Sequence, residues 1–149
     1  STLLTALAMA SASTIHAEQS KGEPVAFELC TPEGPSALQK CEALGLPPSY
    51  RVPAGKLLII EQVSGSCAGD SEATGQPLRA NVVAQTQGTL AEHSIIGVAE
   101  PDLPGGKIPL TLTRIYADPA SEVTIGLTEV PAFSDRSCRL TFSGQLTKP

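Results

Sequence analysis

The sequence predicts an all-β protein: an antiparallel β-sandwich, jelly-roll-like, with one short helix near its N-terminus. Three observations carry that reading. Apolar and polar residues alternate with period two in one segment after another, as strands with a single buried face require. The 13 Gly and 13 Pro are scattered between those segments rather than repeated, which suits many short strands joined by turns. Aromatic residues make up only 3% of the chain and Trp is absent, so the core has to be built from Leu, Ile, Val and Ala.

Residues 1–17 (STLLTALAMASASTIHA) hold an apolar run at 3–10 followed by small residues, with no Asp, Glu, Lys or Arg. They read as the back of a secretory signal peptide. The run is well short of the roughly 20 residues a membrane-spanning helix needs, so no transmembrane span is expected. Small-residue cleavage sites end at Ala10 and Ala12, and a looser one, with Ile15 at −3, ends at Ala17; Ala17 is preferred because Glu18-Gln19-Ser20-Lys21 makes a polar start. No cysteine near these sites offers a lipid attachment point. The expected organisation is a leader at 1–17 and a single disulfide-stabilised domain at 18–149, secreted or periplasmic.

Along that domain, 25–29 is a first short strand, followed by a Pro/Gly turn cluster at 31–35. Residues 36–44 (SALQKCEAL) predict a helix of one or two turns, capped by Ser36, closed by Gly45 and stopped by Pro47-Pro48. Residues 56–64 (KLLIIEQVS) form the strongest strand, apolar enough for the middle of a sandwich. A Gly-rich loop follows at 65–76. Then 78–86 alternates, with Leu78, Ala80, Val82 and Ala84 on one face and Arg79, Asn81 and Gln85 on the other. Strands are expected at 93–99, at 107–116 with Ile108, Leu110 and Leu112 inward, and at 122–128 with Val123, Ile125 and Leu127 inward. A tight turn at 117–120 and a loop at 131–137 lead to a last strand at 139–146, with Leu140, Phe142 and Leu146 facing in.

Four cysteines in an exported chain imply two disulfides. Of the three possible pairings, the favoured one joins Cys30 to Cys41 around a short Pro/Gly-rich loop and Cys67 to Cys138 between an early strand end and the last strand. Zinc is disfavoured, because no C-x-x-C spacing occurs and the domain's one histidine, His93, is remote in sequence from every cysteine.

Three segments resemble a group of small exported proteobacterial β-sandwich proteins: Arg51-Val52-Pro53-Ala54-Gly55-Lys56-Leu57-Leu58-Ile59-Ile60-Glu61-Gln62-Val63-Ser64, Tyr116-Ala117-Asp118-Pro119, and Phe142-Ser143-Gly144-Gln145-Leu146. The resemblance spans roughly residues 50 to 147. Its motifs are turns and buried strands, so it implies the fold and transfers no catalytic residue.

Charge and residue types exclude several functions. Net charge is −5, from 15 acidic and 10 dispersed basic residues, so the clustered cations that displace counterions from nucleic acid or dock on anionic membranes are missing. A Ser/His/Asp hydrolase would need His93, but Ser94 beside it points to the opposite face of a strand and no G-x-S-x-G turn exists. His93 reads as a surface or strand-end residue. Sugar-active carboxylate pairs usually sit beside aromatic platforms, and this chain has no Trp and two Tyr. Asp70, Glu72, Asp102 and Asp118 lack the spacing of a calcium loop, and Gly105-Gly106 lacks the Lys-Ser/Thr and helix of a phosphate loop. No cofactor or metal is expected.

One candidate polar site remains. Glu61 interrupts an apolar strand on the parity of Leu57, Ile59 and Val63, which would turn it inward with Arg79 or Arg114 as partner. A hydrogen-bonded or strand-end carboxylate is the plainer reading, since burying a charge without a partner is costly. The expected function is a non-enzymatic, exported interaction or envelope-associated module binding a protein or envelope component. The alternatives are a small-molecule or glycan-binding or hydrolytic domain with a carboxylate cleft at Glu61, and a strand-exchanging assembly subunit. Oligomeric state is left open.

Overall fold

The computed structural model describes residues 22–33, 35–68, 79–99, 105–127 and 136–149. The expected leader at 1–17, most of the 65–76 loop, Leu78 and the start of the 131–137 loop lie outside them. In chain order the elements are β1 (Glu23–Glu33), α1 (Pro35–Leu44), β2 (Ser49–Arg51), β3 (Leu57–Ala68), β4 (Arg79–Thr86), β5 (Thr89–Ile96), β6 (Val98–Ala99), β7 (Gly105–Ala117), β8 (Glu122–Leu127) and β9 (Arg136–Thr147).

The strands form two antiparallel sheets, ordered β1-β9-β3-β7-β6 and β2-β8-β4-β5. With β6 counted as a two-residue extension on β7, eight strands divide between the sheets in jelly-roll order. The predicted all-β sandwich is therefore what the chain forms. Its short helix follows β1, in the order expected from the strand at 25–29 and the helix at 36–44.

The core lies between the sheets. Leu29, Leu58, Ile60, Val63, Leu140 and Phe142 enter from one side, and Ala80, Val82, Ala84 and Val123 from the other, all fully buried. The scarce aromatics are concentrated here: Phe27 stacks on Phe142 with ring centroids 4.9 Å apart and on Tyr50 at 4.0 Å. The expected inward faces of β4 and β9 are observed, as are Val123 and Ile125 on β8.

Four expectations need correction. In β3 the inward residues are Leu58, Ile60 and Val63, whereas Leu57 and Ile59 are half-buried on the opposite parity. The cause is a bulge against β9: Ile60 pairs with Gly144 and Gln62 with Ser143, leaving Glu61 as an extra residue, while against β7 the register shifts the other way, from Ile115 to Leu112. In β7 only Ile108 of the three expected residues is buried; Leu110 and Leu112 are 64% and 76% exposed. A second irregularity sits where Val63 pairs with Thr111 but Gly65 pairs with Ile108. It spends two β7 residues, Pro109 and Leu110, against one β3 residue, so parity reverses there and Thr111, not Leu112, lies opposite the buried Val63.

The strand expected at 93–99 begins earlier. Thr89–Ile96 is β5, joined to β4 by the two-residue turn Gln87-Gly88, with φ of 50° and 77°. Positive φ at both positions is the type I′ pattern that matches strand twist. Finally, α1 begins at Pro35, so Ser36 is inside the helix and not its cap. Its other end is as expected. Gly45, at φ 67°, donates to the Glu42 carbonyl at 3.0 Å and Leu46 donates to the Cys41 carbonyl at 3.4 Å, closing a Schellman motif.

Candidate functional site

Both favoured disulfides are present. Cys67 and Cys138 are directly paired residues of β3 and β9, with Cα atoms 4.0 Å apart. Cys30 and Cys41 join β1 to α1 across 5.6 Å. Cys30 alternates with the core residue Leu29, so its side chain leaves the outer face of the five-stranded sheet. Ala37 and Cys41, one turn apart on α1, are the buried stripe that meets it. The helix is thus fastened over the outer face near one end of the sandwich.

Glu61, Arg79 and Arg114 are not brought together. The bulge places Glu61 on the outer face of the five-stranded sheet, where the Gln145 amide donates to its two carboxylate oxygens at 3.3 and 3.4 Å. Arg79 is exposed on the other sheet, opposite Ile96 on β5. Arg114 is exposed on β7, and among the described residues neither arginine pairs with Glu61. The expected Glu61–arginine site is replaced by a carboxylate–amide contact on a sheet surface.

His93 is not at a strand end. It lies mid-strand on β5 opposite the fully buried Val82, on the inward parity, and its Nε2 is buried with no hydrogen-bond partner in the described structure. Ser94, on the other face, donates to Asn81 Oδ1 at 3.0 Å. The two residues therefore do not form a nucleophile–base pair.

Two surface features stand out instead. The first is an edge. On one side of the molecule both sheets end, in β5 and β7, and β6 pairs with β7 only at Gly106 and Lys107. The outward rows there are Leu90-Glu92-Ser94-Ile96 on β5 and Leu110-Leu112-Arg114-Tyr116 on β7. Leu90 and Ile96 are 71% and 65% exposed, matching the exposure of Leu110 and Leu112. Pro109 supplies no N–H to this edge, which limits indiscriminate strand pairing.

The second is a groove of about 440 Å³ between α1 and the outer face of the five-stranded sheet, lined by Cys30, Lys40, Ala43, Leu44, Ser66, Ser137 and Arg139. The helix contributes the flank beside its buried stripe. The sheet contributes outward residues of neighbouring strands, Ser66 being paired with Arg139 and Arg139 with Cys30. Arg139 donates to Glu28 at 2.8 Å, and that hydrogen bond is the main reason the Glu28 carboxyl is held below its ordinary value. Thr141 adds a second hydrogen bond to Glu28 at 3.2 Å.

Sequence reasoning missed both features. The Lys40, Ala43 and Leu44 spacing on α1 is the one trace of the groove, and the edge was hidden by the parity reversal at Pro109. No protein-family model matches this chain, and no curated protein matches it either.

Proposed function

We propose that this chain is an exported, non-catalytic jelly-roll module that works by associating with further copies of itself through the edge made by β5 and β7. The observation that carries this reading is the pair of exposed apolar rows. Four large aliphatic side chains more than 60% exposed, two on the outer face of each sheet at its β5 or β7 end, are unusual for faces that meet water alone.

A second copy is the occupant because the rows complement each other in charge. The β5 row carries Glu92 between Leu90 and Ile96. The β7 row carries Arg114 beyond Leu110 and Leu112, and Arg114 has no ion-pair partner among the described residues. Setting β5 of one copy antiparallel to β7 of the next brings Glu92 to Arg114, Ile96 to Leu110 and Leu90 to Tyr116. Such a contact is heterologous and builds a ring or an open chain of subunits. Two disulfides support an oxidising, secreted or periplasmic setting.

Light scattering over a concentration series tests the reading. The expected result is a mass that rises with concentration. Arg114→Glu or Glu92→Arg alone should weaken association about tenfold, and the two together should restore it. A constant monomer mass overturns the proposal, as does a double variant no better than either single one.

A further inference from the structure

We infer that the groove between α1 and the five-stranded sheet is a binding site for a single-chain amphiphile with a carboxylate head, independent of the edge contact. Its volume of about 440 Å³ is in the range of small-molecule sites, which combine a mainly apolar lining with a few placed polar groups. This lining has that composition. Ala43, Leu44 and the wall at Cys30 offer apolar surface, while Lys40, Arg139 and the Ser66 and Ser137 side chains supply the polar groups.

The charges specify the head group. Arg139 already holds Glu28 at 2.8 Å, so much of its charge is answered within the protein. Lys40 has no hydrogen-bond or ion-pair partner among the described residues. A ligand that lays an alkyl chain along Ala43 and Leu44 and ends in an anion completes both surfaces. An alkylammonium would set two cations together, and a neutral alcohol would leave Lys40 as it is.

The disulfide between Cys30 and Cys41 gives the site its rigidity. It holds the helix that makes one wall to the strand that makes the other, so the groove exists without a ligand to organise it.

The experiment is a titration of the full chain with octanoate, followed by amide chemical shifts, with octanol and octylammonium as matched probes. Octanoate is expected to produce saturable shifts at residues 40–44, 66, 137 and 139, and to bind about tenfold more tightly than either probe. Lys40→Gln should remove about that factor while leaving thermal unfolding unchanged, because the side chain is exposed. Leu44→Gln should weaken all alkyl probes alike. Equal affinity for octanol and octanoate, or an unaffected Lys40→Gln variant, overturns the carboxylate assignment. Shifts that scatter over the surface without saturating overturn the site itself.

Discussion

The Asp118 carboxylate accepts the Gly88 backbone N–H at 2.8 Å, so the turn after β7 holds the hairpin between β4 and β5. Its other oxygen accepts the Gln87 N–H at 2.9 Å. Around it, the Asp118 N–H donates to the Gln85 carbonyl at 2.8 Å, and Thr86 Oγ1 donates to the Tyr116 carbonyl at 2.6 Å. One acidic side chain therefore couples the two sheets at the end of the sandwich nearest the β5 and β7 rows.

Replacing Asp118 by Ala is expected to lower unfolding stability by about 2 kcal/mol, since two charge-assisted hydrogen bonds are lost from a partly solvated turn. Hydrogen exchange should accelerate at Gln87 and Gly88 first. Asp118→Asn retains acceptor capacity and should cost less. Unchanged exchange at those two amides in the Ala variant would show that the turn holds without the carboxylate.

Two strand glycines separate close backbone approach from a position with room to spare. A Cβ on Gly144 would run into the Ile59 carbonyl of β3, so Gly144→Ala forces β9 away from its partner. A loss of about 3 kcal/mol or more is expected, within the range for overpacking in a core. Gly126 on β8 has room, with Val83 Cγ2 at 3.7 Å from the added carbon. Gly126→Ala should stay within about 1 kcal/mol of the parent. Denaturant unfolding of the two variants checks the contrast, and similar losses in both would refute it.

Tyr50 gives the fold a pH dependence at high pH. Burial, with a smaller contribution from the negative charge of Glu23, pushes its phenol above the ordinary 10.0. The folded state thus favours the neutral phenol. That stabilisation is fully present below the unfolded value and is lost as pH rises through the raised one. Absorbance titration of a Tyr116→Phe variant, which leaves a single tyrosine, is expected to give a midpoint above 10.0. A midpoint at or below that value would show a solvated ring. Glu28 works in the opposite window: the Arg139 hydrogen bond lowers its carboxyl from 4.5, and the contribution is lost as pH falls through the lowered value. At a partly exposed pair it amounts to less than about 1 kcal/mol.

Much of the architecture was legible from local pattern. The alternation of Ala80, Val82 and Ala84, of Val123 and Ile125, and of Leu140 and Phe142 names the inward faces of three strands, because a pleated strand has a fixed period of two. Gly45 announces the end of α1 because few other residues accept its left-handed conformation. Even the motif segments proved to be neighbours in space. Val52 donates to the Ser121 carbonyl at 2.9 Å, and Ala120 donates back to the Val52 carbonyl at 3.1 Å, joining the V-P-A-G-K loop to the turn at Asp118.

The rest depended on what each strand met. An apolar run such as Leu57-Leu58-Ile59-Ile60 is compatible with either face, and a bulge appears only when a partner strand imposes its register, as β9 does at Glu61. The same effect at Pro109 and Leu110 turned Leu112 from an expected core residue into an exposed one. Local sequence thus determined strand identity and the helix end, and left three disulfide pairings open, of which the structure has Cys30–Cys41 and Cys67–Cys138. Tertiary structure decided which side each side chain serves past a bulge, and so placed Glu61 against Gln145, His93 inside, and the leucines of β7 on the open edge. The physical reason is that periodicity is a property of one strand, whereas register belongs to the sheet.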